Sequence, residues 1–150
     1  MEFEDVSEKV EWEARRVAAA FGVGEWKPNE PSREIISYSC FNNGTEYYVS
    51  FDTDGELKTL NIDEVESRQY THCELQNLGM GQWSLYNYSQ YGKEMAYGLY
   101  RLGFEDEGIL SQLPPISAHE KLELRFSMPR EFWPQKWLDE EAREGNGQSP

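Results

Sequence analysis

The chain has 150 residues, 28 Asp and Glu against 14 Lys and Arg, and a net charge of -14, yet 14% of its residues are aromatic. That length suits one domain able to bury a core without disulfide or metal staples, and the aromatic content separates it from acidic chains that stay unfolded. Phosphate binding needs clustered Lys and Arg, and the longest basic run is Arg15-Arg16, which argues against free nucleic acid or an anionic membrane surface as ligand.

Residues 5–21 are predicted to form an amphipathic helix. Val6, Val10, Ala14, Val17 and Phe21 recur at helical spacing on one face. Asp5 caps its start with Glu8 reaching back, and Gly22 ends it. Pro28 and Pro31 mark a loop. Three strands follow: 34–41, 46–52 with Tyr47, Val49 and Phe51 on one face, and 57–62. Turns at 42–45 and 53–55 join them into an antiparallel meander.

Residues 69–76 read as a fourth strand with Thr71, Cys73 and Leu75 inward, followed by a turn at Gly79-Met80-Gly81. Residues 82–88 fit either a fifth strand or the start of a helix. Residues 90–103 read as a helix whose Met95, Tyr97, Leu99, Tyr100 and Leu102 leave no wide polar face, which implies burial. Gly92 and Gly98 weaken it but allow close packing. Residues 105–120 are expected to be a loop around Pro114-Pro115. Residues 121–127 alternate, with Leu122, Leu124 and Phe126 inward, which predicts a half-buried strand. Pro134 fits the first turn of a last helix ending near Gly145. The expected architecture is α+β: one domain over 1–145, a mainly antiparallel sheet (meander 34–62 plus later strands) with helices packed on one side, and a disordered tail at 146–150. The α-β-β-β-α order resembles double-stranded RNA-binding domains in element order alone. The basic residues with which those modules grip phosphates have no counterpart here, so that reading is rejected.

Several constellations invite chemistry. Asp52, Asp54, Glu56 and Asp63 approach a calcium loop in spacing, but position six is Leu57 where that loop needs Gly, so a hairpin is the expectation. His72-Cys73 joins base and nucleophile types, yet neighbours on a strand point to opposite faces. Cys40, Cys73, His72 and His119 lack zinc-finger spacing. The two cysteines, Cys40 and Cys73, read as buried thiols of a reducing compartment, with one disulfide between them as the alternative. No nucleophile elbow, phosphate-cradling loop or dinucleotide fingerprint occurs. The expectation is a non-enzymatic protein that needs no metal or cofactor.

The N-terminus carries neither a basic leader nor an apolar stretch, and no run is long enough to span a membrane, so a cytoplasmic location is expected. The anionic excess, spread over the whole chain, suits a binding protein that sits against a basic surface on another protein. A nucleic-acid-handling enzyme or a toxin fits that description, with inhibitors, anti-CRISPR, anti-restriction and immunity proteins as the functional types. The expected partner-binding residues are Glu8, Glu11, Glu105, Asp106, Glu107, Asp139 and Glu140, with Trp83 and Trp133 as aromatic anchors. Acids in the first helix also compensate its dipole, a purely structural role. A second expectation is a small-ligand or carbohydrate pocket in which Trp83, Tyr86 or Tyr88 meets one or two carboxylates. A third is a small enzyme using His72, Cys73 or a carboxylate.

Overall fold

The structure, a computed structural model, describes residues 5–24, 26–30, 35–42, 44–64, 72–87 and 91–147. In chain order the elements are α1 (Val6–Phe21), β1 (Lys27–Pro28), β2 (Ile36–Asn42), β3 (Thr45–Phe51), β4 (Leu57–Glu64), β5 (His72–Gly79), β6 (Gln82–Asn87), α2 (Gly92–Arg101), α3 (Glu107–Leu110), α4 (Ala118–Ser127), a 3-10 turn at Arg130–Phe132, and α5 (Gln135–Gly147). This is the expected α+β fold: a six-stranded antiparallel meander with its strands in sequence order, and helices on one side.

Asp5 caps α1 by accepting the Glu8 N–H at 2.8 Å. Gly22, at φ 64°, turns the chain so that the Val23 N–H reaches the Ala18 carbonyl at 3.0 Å. Val10, Ala14, Val17 and Phe21 are buried, while Val6 at the end of the same stripe is exposed. These side chains pack on the sheet face formed by Tyr47, Val49 and Phe51 of β3, Leu60 and Ile62 of β4, and Cys73 and Leu75 of β5.

The meander closes through tight turns. Asp52 Oδ1 accepts the Asp54 and Glu56 N–H groups at 2.9 and 3.0 Å across the β3–β4 turn. Met80 and Gly81, both at positive φ (56° and 76°), make a two-residue turn between β5 and β6. Residues 82–87 are therefore strand, which settles the ambiguity of that segment. Lys27–Pro28 pairs with β2 as a short edge strand where a loop was expected. Pro is tolerated on an edge because its missing N–H has no ladder partner to disappoint.

The second layer is built by α1, α2, α4 and α5. Gly98 of α2 faces the Phe21 ring so closely that a Cβ there would lie 2.1 Å from it. Tyr47 of β3 donates its hydroxyl to Glu94 of α2, tying sheet to helix.

Two expectations for the C-terminal half are corrected. Residues 121–127 lie in helix α4 (Ala118–Ser127), not in a strand. Ser117 and Glu120 form a reciprocal capping box, which nucleates a helix and overrides the alternating pattern. Only Leu124 of that pattern is buried; Leu122 and Phe126 are exposed. The stretch 105–120 is not one loop: Asp106 caps the short helix α3, whose Ile109 is buried. Helix α5 extends to Gly147, and residues 148–150 of the expected tail lie outside the described residues.

Candidate functional site

Side chains directly opposite each other in an antiparallel sheet share a face. With Tyr47, Val49, Leu60, Ile62, Cys73 and Leu75 turned to the helices, the alternate positions of the same strands form the other face. Its rows follow the register: Lys27–Ser39–Tyr48–Asn61–Glu74–Tyr86, then Phe41–Glu46–Asp63–His72, then Ser37–Ser50–Thr59–Gln76–Ser84. The buried core contains none of the aromatic residues in these rows. Phe41 and Tyr86 are exposed, at 66% and 44%.

Among the described residues, charge on this open face is mostly acidic, with Lys27 at its edge. Glu46 and Asp63 sit directly opposite each other on β3 and β4. His72 lies between two carboxylates: Nδ1 contacts Asp63, and Nε2 lies 3.4 Å from Glu74. Glu74 also accepts from the Gln76 amide. Burial, reinforced by the nearby Asp63 charge, pushes the Glu46 carboxyl above its usual range. Asn61 Oδ1 and Ser84 Oγ, on the same face, are buried without a hydrogen-bond partner among the described residues. An anionic pair and polar atoms left short of partners make this face electrostatically costly as it stands.

Most described cations are elsewhere. Among the described residues, Lys27 and Lys58 are the only Lys or Arg on the strands, and every other one lies in the helical layer. There they act as fasteners. Arg16 donates to the Leu102 and Phe132 carbonyls at 2.6 and 3.0 Å. Arg101 donates to the Ala20 carbonyl at 2.8 Å. Arg125 and Arg130 stack over Trp137 and Trp133, each at 4.8 Å.

The residues expected to bind a partner do not form one patch. Glu8 and Glu11 are exposed on α1. Glu105 and Asp106 line a cleft together with Trp83. Glu105 lies 3.5 Å from Lys136, and Asp106 Oδ1 is occupied capping α3. Glu107 is exposed at the start of α3. Asp139 accepts from Gln135, and Glu140 pairs with Arg125 at 3.2 Å. Trp133 is buried, edge-on to Trp137, and donates its indole N–H to the Met128 carbonyl at 2.8 Å. Of the three aromatics considered for a pocket, Trp83 lines the cleft, Tyr86 is on the opposite sheet face, and Tyr88 lies outside the described residues.

The candidate catalytic groups are not assembled. Cys73 points into the core, where burial pushes its thiol up to about 12, while His72 points to the open face. His119 is on α4, 3.0 Å from Glu123. Asp63 of the calcium-like set is at the far end of β4 from the Asp52–Glu56 turn. Asp63 and Glu74 approach opposite nitrogens of the His72 ring, so these three do not converge on one ion. No metal-binding group of three His, Cys, Asp or Glu occurs among the described residues.

Of the open-face residues, Glu46, Tyr48 and Glu74 carry no motif in the sequence, and Asp63 stands out there only through its calcium-like spacing from Asp52. Their signal was present: once Tyr47, Val49 and Phe51 face inward, Glu46, Tyr48 and Ser50 must face outward. Acidic runs in helices and loops drew attention instead, although adjacent carboxylates in a run diverge while carboxylates on neighbouring strands meet.

Comparison of the chain with protein families, with characterised proteins and with solved structures gives no match. No helix among the described residues is long and apolar enough to cross a membrane.

Proposed function

We propose that this is a non-enzymatic binding protein that docks the open face of its sheet onto a basic surface of another protein, of the kind found on nucleic-acid-handling enzymes or toxins. The observation that carries the reading is the segregation of charge. Glu46, Asp63 and Glu74 share one face, while the described Lys and Arg are almost all committed to the helical layer. Phe41, Tyr48 and Tyr86 supply rings among these carboxylates, the residue type that anchors interfaces. A cationic partner relieves the Glu46–Asp63 repulsion, and complementary fields speed encounter and reject partners of the wrong sign. The expected outcome of docking is obstruction or recruitment of the partner.

The test is affinity capture with identification of the bound protein, followed by measured binding for wild type and two charge-matched variants, E46K/E74K and E8K/E11K. Docking through the open face predicts that E46K/E74K loses the partner and E8K/E11K keeps it. It also predicts that wild-type affinity falls steeply as salt rises. Equal loss from both variants points to net charge alone, and loss only from E8K/E11K moves the site to α1; either result overturns the placement.

A further inference from the structure

We propose that the cleft between α1, the β3–β4 turn, β6 and the α2–α3 connection binds a small organic cation, a primary ammonium group carried on an apolar or aromatic stem. The cleft holds about 400 Å³, within the range of small-molecule sites. It lies on the helix-covered side of the sheet, so it stands apart from the docking face.

The walls fit the stem of such a ligand. Trp83 and Phe104 meet edge to face with centroids 5.0 Å apart, and Phe51 and Leu57 line the same space. The charges fit its head. Four carboxylates line the cleft, those of Glu13, Glu56, Glu105 and Asp106, against two lining cations, Lys9 and Arg16, with Lys136 3.5 Å from Glu105 at the rim. Both cations are already spent. Lys9 Nζ is 2.6 Å from Glu56 and also reaches the Asp54 carbonyl. Arg16 directs its short bonds to the Leu102 and Phe132 carbonyls and leaves only Nη1, at 3.6 Å, for Glu13.

Glu13 is thus half-buried with a long counter-ion contact, and burial raises its carboxyl despite the charges of Arg16 and Lys9. An ammonium entering beside it supplies the missing charge, and an aromatic wall adds cation–π attraction. An anionic ligand would face four carboxylates. A neutral ligand of the same shape would leave Glu13 as it is.

The test uses the full chain and three probes on the same phenethyl stem, phenethylamine, 2-phenylethanol and 3-phenylpropionate, with binding read by calorimetry and ligand-observed NMR. Phenethylamine is expected to bind at least about tenfold more tightly than either other probe, the scale of one charge-assisted hydrogen bond. E13Q should weaken the amine about tenfold and leave the alcohol unchanged. E105Q, at the exposed rim, should weaken the amine less, and it guards against loss of fold in the half-buried variant. E46K/E74K should bind the amine as wild type does, which separates the cleft from the docking face. No binding of the amine, equal binding of the three probes, or undiminished amine binding by E13Q and E105Q together would overturn the assignment.

Discussion

The two faces of the sheet come from the same strands, one residue out of phase, and they differ in almost every physical respect. The face toward α1 and α2 presents Val49, Phe51, Ile62, Cys73 and Leu75 with essentially no exposure. The other carries carboxylates, amides and hydroxyls, with Phe41 and Tyr86 exposed and Ser37 and Ser50 buried. Stability is invested on the first face, since burial of apolar area is the dominant favourable contribution to folding. The second contributes little to stability, and its opposed Glu46 and Asp63 subtract from it. A sheet with one face packed and one face toward solvent is ordinary. An open face with an acid cluster whose one strand-borne Lys or Arg in those rows, among the described residues, is Lys27 at the edge is the distinguishing feature of this protein.

The contrast is broken most severely by moving the same kind of truncation from one face to the other. Phe51→Ala should cost about 3–5 kcal/mol, because it deletes a fully buried ring and leaves a cavity. Tyr48→Ala, one strand phase away, should cost less than about 1 kcal/mol. Urea denaturation of both variants checks this; similar losses would mean that the open face is part of the core.

A smaller effect tests how the covered face is sealed. Gly98→Ala gains about 1 kcal/mol of helix propensity. It also drives a methyl into the Phe21 ring, and Phe21 cannot retreat freely because it packs against Tyr47. Overpacking costs about 1–3 kcal/mol or more, so a net loss is expected in thermal or urea unfolding. A gain in stability would show that the α1–α2 contact is looser than described.

The smallest effect sharpens the charged side of the comparison. Glu46 has its carboxyl raised in the folded protein, chiefly by burial and then by Asp63. The folded state therefore holds this proton to higher pH than the unfolded chain. That contribution is fully present below the unfolded value and is lost as pH rises through the folded one. Glu46→Gln, neutral at every pH, should be more stable than wild type at pH 7 by a few tenths of a kcal/mol. The difference should vanish in acid, below the carboxylate range. Measuring stability against pH for both proteins checks it. The opposite slope belongs to Glu120, held down at about 2 by the Tyr97 hydroxyl and by its bonds with Ser117; its contribution is lost as pH falls.

Local patterns carried the fold far. The Val10–Phe21 stripe, the Asp5 cap and Gly22 specified α1, and the Tyr47-Val49-Phe51 alternation with its flanking turns specified the meander. Leu122-Leu124-Phe126 misled because alternation over three residues is a short signal. A capping box at Ser117 and Glu120, with Pro115 just ahead, outweighed it. The candidate site was less legible for a different reason. Glu46, Asp63 and Glu74 are far apart in the chain and become neighbours only through strand register, whereas Glu105-Asp106-Glu107 is conspicuous as a run. Trp133, read as an anchor for a partner, anchors the core because Met128 and Trp137 close around it.

The central claim, that the open sheet face is where a basic partner sits, is tested most directly by mapping amide chemical shifts of the labelled protein as the captured partner is added. The perturbed resonances should cluster at Glu46, Tyr48, Asn61, Glu74 and Tyr86, with α1, α4 and α5 little affected. Perturbations centred on the helices, with these strands unmoved, would contradict it.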